Sequence, residues 1–480
     1  MRLLMIPAST LKNHDKDSMY LQMKDFAEWM VQNAEEPVYF YWLLEGEQSL
    51  KELQRSNEVF WKYGQLISYP SRSDDFYDKQ YLLPGGKIYE MFNRREGKYP
   101  VDAVMMVPAG VATWVKRWLL DLRRRWMDPP VFIPNPQVMN FEHEWFKSMN
   151  QYERFMVSVG YSDVNQFVLS EEEKRQVMMN VRKFIAPSKV RKTYQNTQVM
   201  PMGIRTDLID QILEESPGKY DKFTFFYGGR FNKVKNVDRI VEWFDKIYAR
   251  RDVNIVMTTN SDETRQFDPK DYDHFNIHWS QNRDEYLRKA CRAHVAVCAT
   301  NYESFGAAFF EQLYAGTIVL FPNKKWVDSL FGGRDYPFKY KGSREALKMM
   351  MYVMDNYEKC KEEIAWTKDF IRDRLSSEMV FEEYYSAIRE AVHDEWANRD
   401  SIGQGNIELL DQAVDMLGDE FSFEQVDSLV HKFSDTFDWS TGLRAATMSR
   451  FEAYRYIKDG LGYIETCERP IPDFRKNGDS

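Results

Sequence analysis

Phe225-Phe-Tyr-Gly-Gly-Arg-Phe-Asn-Lys-Val-Lys-Asn236 is the stretch whose reading decides the fold. Its apolar start reads as the end of a buried strand, and Gly228-Gly229 then turn the chain into a short cationic loop. Directly after the loop, Val237, Ile240, Val241 and Phe244 recur at helical spacing, so a helix follows with its apolar stripe against a sheet. Strand, glycine turn and helix in that order form the repeating unit of a parallel α/β layer. Glycines at the turn let the backbone approach a ligand closely. Arg230 and Lys235, together with the start of the next helix, make a site for a diphosphate. Alone, the same string also suits a solvated αβ turn with ordinary surface cations.

Working outward, short β-branched and aromatic runs alternate with helical patterns along most of the chain. The first group of expected strands is Leu3–Pro7, Val38–Leu43, Ala103–Val107 and Val131–Pro134. The second is Phe223–Gly228, Val253–Thr258, Val295–Ala299 and Ile318–Phe321. Helices are expected at Tyr20–Asn33 and Val237–Ala249, and the pattern from Arg344 to Asn398 is nearly all helical. Two strand clusters predict two doubly wound domains facing each other across a cleft, residues 1–204 and 205–398. A polar, glycine-containing linker, Arg399–Asn406, separates them from a small, mainly helical segment at 407–480.

Glu303-Ser-Phe-Gly-Ala-Ala-Phe-Phe-Glu-Gln-Leu-Tyr-Ala-Gly316 follows one of those strands. A helix beginning near Phe305–Gly306 leaves Glu303 in the preceding loop and puts Glu311 about two turns along. Two carboxylates so spaced can bracket a sugar nucleotide, one on sugar hydroxyls and one on ribose hydroxyls, with helix-start N–H groups for the phosphates. Glu311 is embedded in an apolar helix (Ala307, Ala308, Phe309, Phe310, Leu313), where a charge needs a partner.

These stretches resemble glycosyltransferase family 4 and its relatives with the GT-B fold. Met200-Pro-Met-Gly-Ile-Arg-Thr-Asp207 is similar to that family's turn between two Rossmann-like domains. Gly229-Arg230 with Lys235 resembles its phosphate loop. His278-Trp-Ser-Gln-Asn-Arg-Asp-Glu-Tyr-Leu287 resembles the loop and helix beside the base, and Glu303 with Glu311 matches its paired glutamates. The resemblance implies an enzyme using a UDP-sugar or another NDP-sugar, with retention of the anomeric configuration and no metal or other cofactor. It implies that Arg230 and Lys235 hold the diphosphate and stabilise the leaving charge, while Glu303 contacts the donor sugar and Glu311 the ribose. Trp279, Ser304, Phe305 and Gly306 then line the donor site beside Gly229. A family histidine after a mid-domain strand has its nearest counterpart in His143, within Asn140-Phe-Glu-His-Glu144. The glycine-rich loop that family members often carry after the first strand is replaced here by Pro7-Ala-Ser-Thr-Leu11.

The acceptor side is less decided. Ala112–Met127 interleaves tryptophans with Arg117, Arg123, Arg124 and Arg125, which suits a phosphate backbone. An amphipathic helix with tryptophans in the core reads the same way. Ser422-Phe-Glu-Gln425 and Ser449-Arg-Phe-Glu452 are capping-box patterns, and Tyr463–Cys467 reads as a strand before Phe474-Arg-Lys476. Helix, helix, helix, hairpin resembles a winged helix, with Arg450, Arg455 and Lys458 as nucleic-acid contacts. Leu313-Tyr-Ala-Gly-Thr-Ile-Val319 is similar to a stretch of bacteriophage DNA-modifying glycosyltransferases, which makes DNA a candidate acceptor.

Composition bounds these readings. A net charge of -9 argues against coating nucleic acid through bulk electrostatics, though a local basic groove is compatible with it. Cys291, Cys298, Cys360 and Cys467 form no CxxC pair, so neither a disulfide framework nor structural zinc is expected. No apolar run is long enough to span a bilayer, and a cytoplasmic location is expected.

Overall fold

The structure of the chain is a computed structural model. It describes residues 1–7, 18–45, 50–69, 101–107, 112, 115, 131–134, 150–162, 164–216, 218–231, 233–259, 267–279 and 281–397, and near the C-terminus 415–417, 420–422, 425, 463–465 and 473–476. Strands of the first sheet are β1 (Arg2–Ile6), β2 (Tyr39–Glu45), β3 (Gly64–Tyr69), β4 (Ala103–Met106), β5 (Val131–Pro134), β6 (Asn165–Val168) and β7 (Thr197–Val199). They lie in the order β3-β2-β1-β4-β5-β6-β7, all parallel, with Leu3 opposite Phe40 on one side and Ala103 on the other. Such a sheet needs cover on both faces, and α1 (Ser18–Asn33), α2 (Glu171–Val181) and α3 (Pro187–Gln195) are among the helices that supply it.

The second sheet contains β8 (Thr224–Gly228), β9 (Asn254–Thr258), β10 (Asn276–His278), β11 (Val295–Val297), β12 (Ile318–Pro322) and β13 (Lys339–Tyr340). Its order, β10-β9-β8-β11-β12-β13, reverses direction between β8 and β11, and ligands in such sheets sit at the carboxyl ends of those strands. Helices α4 (Val237–Tyr248), α5 (Arg283–Arg292) and α6 (Ala307–Tyr314) connect these strands. The two doubly wound domains expected from the strand clusters are therefore present.

The connection between domains is double. Ile204 pairs with Ser376: Ile204 N–H donates to the Leu375 carbonyl at 2.7 Å, and Ser377 N–H donates to the Ile204 carbonyl at 2.8 Å. A Cβ on Gly203 would lie 2.8 Å from the Ser377 Cα, so only glycine lets the two strands of chain pass this closely. Beyond the crossing, helix α7 (Ser377–Ala397) returns to the first sheet. Its Phe381 and Tyr384 rings stack into the first core, 5.6 Å from Phe26 and 4.7 Å from Phe167 between centroids. Sequence order groups this helix with the second domain; its buried face belongs to the first.

In the C-terminal segment, β14 (Glu420–Ser422), β15 (Tyr463–Glu465) and β16 (Asp473–Lys476) form an antiparallel sheet in the order β14-β16-β15. The capping box at Ser422 is formed, with Ser422 Oγ accepting from Gln425 N–H at 3.2 Å and Gln425 Oε1 accepting from Ser422 N–H at 2.7 Å. Among the described residues no helix is long and apolar enough to cross a membrane.

Candidate active site

The cationic loop leaves β8 at Gly228. The buried Tyr227 hydroxyl donates to the Arg230 carbonyl at 3.0 Å, which pins the loop while the Arg230 side chain stays exposed. A turn of 3-10 helix, Lys233–Lys235, leads to Asn236, whose φ of 48° makes it the one positive-φ residue other than glycine among those described. A left-handed asparagine at a helix start is held there by its side chain, since Asn236 Nδ2 donates to the Ala299 carbonyl at 2.8 Å. This fixes the loop to the end of β11 and delivers Lys235 to Glu303, with which it forms an ion pair. Both side chains are mostly buried, at 18% and 16% exposure. Two motifs 68 residues apart thus meet at one point.

From Glu303 the chain enters α6 through buried Ser304 and Phe305. Gly306 caps the helix with φ 76°, a conformation that a side chain rarely adopts, and an added Cβ would lie 2.7 Å from the Phe309 ring. No side chain caps α6, so its first N–H groups have no side-chain acceptor, and the Glu303 side chain lies close to the capping Gly306. A positive helix end, an ammonium and a carboxylate thus come together beside the loop that leaves β8.

Glu311, one further turn along α6, is buried at 6% exposure. The partner that its apolar surroundings demand is Arg283, whose Nη2 lies 3.0 Å from Glu311 Oε1. Arg283 Nη1 reaches Asp25 Oδ2 of α1 at 3.1 Å, and Asp25 Oδ1 lies 3.6 Å from Arg205, which is itself paired with Asp207 at 2.8 Å. Burial pushes the Glu311 and Asp25 carboxyls above the ordinary carboxylate range, and Arg283 opposes the shift in both. Sequence reasoning missed Arg283 and Asp25. Arg283 sits within the quoted base-side stretch, yet its two partners come from distant helices and leave no local pattern.

Trp279 is half-buried and stands edge-on to Phe231, 5.3 Å between centroids, forming an aromatic wall past the cationic loop. Across the cleft, Glu173 of α2 is fully buried. Its Oε2 accepts Leu169 N–H at 2.6 Å and the Ser304 hydroxyl lies beside it, but burial dominates and pushes its carboxyl up to about 7. Nothing in the sequence distinguished Glu173 from an ordinary acidic residue in the first turn of a helix, where it sits with its N–H donated to the Ser170 hydroxyl. His143, Arg117, Arg123, Arg124, Arg125, Arg450, Arg455 and Lys458 lie outside the described residues. Among the described residues no cluster of three or more His, Cys, Asp or Glu side chains could hold a metal ion.

Residues 209–361 match the family model "Glycosyl transferases group 1". No curated protein matches the chain by sequence. Among solved structures, the chain is similar to a sucrose-phosphate synthase from Thermosynechococcus elongatus (TM-score 0.59, 12% identity, covering 82% of this chain and 100% of that one). It is also similar to Anabaena Alr3699/HepE in complex with UDP (0.56, 9%, 81% and 99%). A third likeness is to a glycosyltransferase from Rickettsia africae ESF-5 (0.55, 13%, 83% and 99%). At these identities the likenesses speak for the fold, and the family model speaks for the domain that carries Lys235, Glu303 and Glu311. The chain is a glycosyltransferase of GT-B fold with a group 1 glycosyl transferase domain at 209–361.

Proposed function

We propose that the protein moves a sugar from a nucleoside-diphosphate sugar to a hydroxyl on a hydroxymethylated pyrimidine in DNA, with retention of configuration. The observation that carries the donor half is the Lys235–Glu303 pair at the open start of α6, with Arg230 on the flanking loop. Residues 205–398 bind the donor in this reading, and 1–204 the acceptor. The diphosphate lies against Arg230, Lys235 and the α6 N–H groups, Glu303 accepts from sugar hydroxyls, and Glu311 accepts from the ribose diol. Trp279 borders the base. The UDP complex of the Anabaena neighbour supports a UDP-sugar among the candidate donors.

The chemistry follows from this placement. The acceptor hydroxyl oxygen forms a bond to the sugar C1 as the bond from C1 to the diphosphate oxygen breaks, and that oxygen keeps the electron pair. The hydroxyl proton passes to the departing phosphate on the same face, which is what retention requires. Arg230, Lys235 and the helix start stabilise the charge that grows on the diphosphate, an effect worth roughly 3 kcal/mol per well-placed donor.

Support for a nucleic-acid acceptor comes from the first domain. Between residues 182 and 195, Arg182, Lys183, Lys189, Arg191 and Lys192 are exposed and no carboxylate interrupts them, on a chain of net charge -9. Tyr194 is exposed beside them with Lys174 over its ring. Cations interleaved with an aromatic ring suit a phosphate backbone. The C-terminal sheet, which pairs its first strand with its last, is compatible with a winged helix that would bind the same duplex. The test is incubation with radiolabelled nucleotide sugars and duplexes containing 5-hydroxymethylpyrimidines. Label on the modified DNA is expected; donor turnover without any label on DNA would instead point to a glycan, lipid or small-molecule hydroxyl.

A further inference from the structure

The ionic chain Asp207–Arg205–Asp25–Arg283–Glu311 does more than neutralise one buried glutamate. Arg283 offers one terminal nitrogen to each of two carboxylates from different domains, Glu311 of α6 and Asp25 of α1. Both carboxylates are close to buried, at 8% and 10% side-chain exposure. A guanidinium is a rigid planar fork, so the angle at which it meets one carboxylate constrains the angle at which it meets the other. Arg283 reaches Glu311 through Oε1, and the Tyr286 hydroxyl also lies beside that carboxylate.

We propose that Arg283 and Asp25 are positioning residues that tie donor binding to closure of the two domains. The proposal rests on the reading of Glu311 as the carboxylate for the donor's ribose. With the domains closed, Asp25 draws one nitrogen of Arg283 to itself, and Glu311 meets the guanidinium through one nitrogen only, which leaves acceptor capacity for a ribose hydroxyl. With the domains apart, Asp25 is withdrawn and Arg283 turns both nitrogens onto Glu311, occupying the oxygen that the ribose needs. Donor and acceptor domain therefore favour the same arrangement of Arg283, and each raises the affinity for the other, as reciprocal linkage requires. Arg205 stands at the double crossing between domains and holds the far side of Asp25, so the carboxylate that senses closure is anchored at the hinge.

The test is steady-state kinetics over donor concentration, together with small-angle X-ray scattering with and without the nucleoside diphosphate. Wild type is expected to compact on adding the nucleotide; Asp25→Asn is expected to abolish that compaction and to raise the donor KM at least tenfold while kcat at saturating donor falls less than threefold. Asp25→Glu, which keeps the charge, restores most of the KM; Arg283→Lys, with a single ammonium, does not. Arg283→Gln, which removes the link between the domains, likewise abolishes the compaction, and this readout replaces Asp25→Asn if that variant does not fold. Wild-type KM and compaction in Asp25→Asn overturn the proposal. Equal losses in kcat and KM with a lowered melting temperature also overturn it, because that is the mark of a merely structural pair. A wild-type protein that turns over no nucleotide sugar defeats the underlying donor reading instead.

Discussion

Lys235 and Glu303 show how far single residues could be read. The sequence suggested that each served the same ligand, and the structure places them in contact, so their spacing within separate motifs carried real geometric information. Glu311 was legible in a weaker sense: burial in an apolar helix required a counter-charge, but nothing local said that it would be Arg283. Glu173 was not legible at all, since a first-turn helix glutamate is ordinarily solvated and this one is fully buried, with Ser304 and Glu303 of the second domain beside it. Its titration gives a prediction at this scale. The folded chain holds the Glu173 proton up to about pH 7 whereas an unfolded chain releases it near 4.5, so this term is fully present below 4.5 and is lost as pH rises through 7. The stability difference between wild type and Glu173→Gln, measured by chemical denaturation, should shift in favour of Gln by on the order of 3 kcal/mol from pH 4.5 to 7.5. A pH-independent difference would mean that Glu173 titrates in the folded chain as it does in the unfolded one.

At the scale of elements, strands with clear apolar runs were readable to within a residue or two: Val131–Pro134 as it stands, and Phe223–Gly228 for the observed Thr224–Gly228 at the heart of the second sheet. Strands β3, β6, β7, β10, β13 and β14 were missed. Asn165-Gln-Phe-Val168 and Thr197-Gln-Val199 are short, with polar residues near a sheet edge, and acquire strand geometry from their neighbours rather than from their own pattern. The cap of α6 was anticipated within a residue or two, while the reason for Gly203 needed the structure, because the chain it touches lies at Ser377. Replacing Gly203 with Ala drives a Cβ into backbone at the double crossing, and a loss of roughly 1–3 kcal/mol is expected. Thermal or chemical unfolding of the variant checks this, and unchanged stability would show that the crossing yields.

For the molecule as a whole, the sequence was enough for two facing α/β domains and for the order of the donor motifs between them. It did not reveal that α7 returns to the first core, since a helix stripe names no partner. Nor did it name the charges linking the domains. Both are long-range facts, and together they make the cleft a jointly owned site rather than a pocket of the second domain. The central claim is that this cleft binds a nucleotide sugar through Lys235, Glu303 and Glu311. The most direct measurement is the melting temperature of wild type, Lys235→Ala and Glu311→Ala with a panel of UDP-, GDP- and ADP-sugars. A ligand at about 100 times its Kd adds roughly 2.7 kcal/mol to the folded state, a shift of a few degrees. One nucleotide class should raise the wild-type melting temperature by that amount and leave both variants unmoved. A wild type that responds to no nucleotide sugar, or variants that respond as wild type does, would contradict the account.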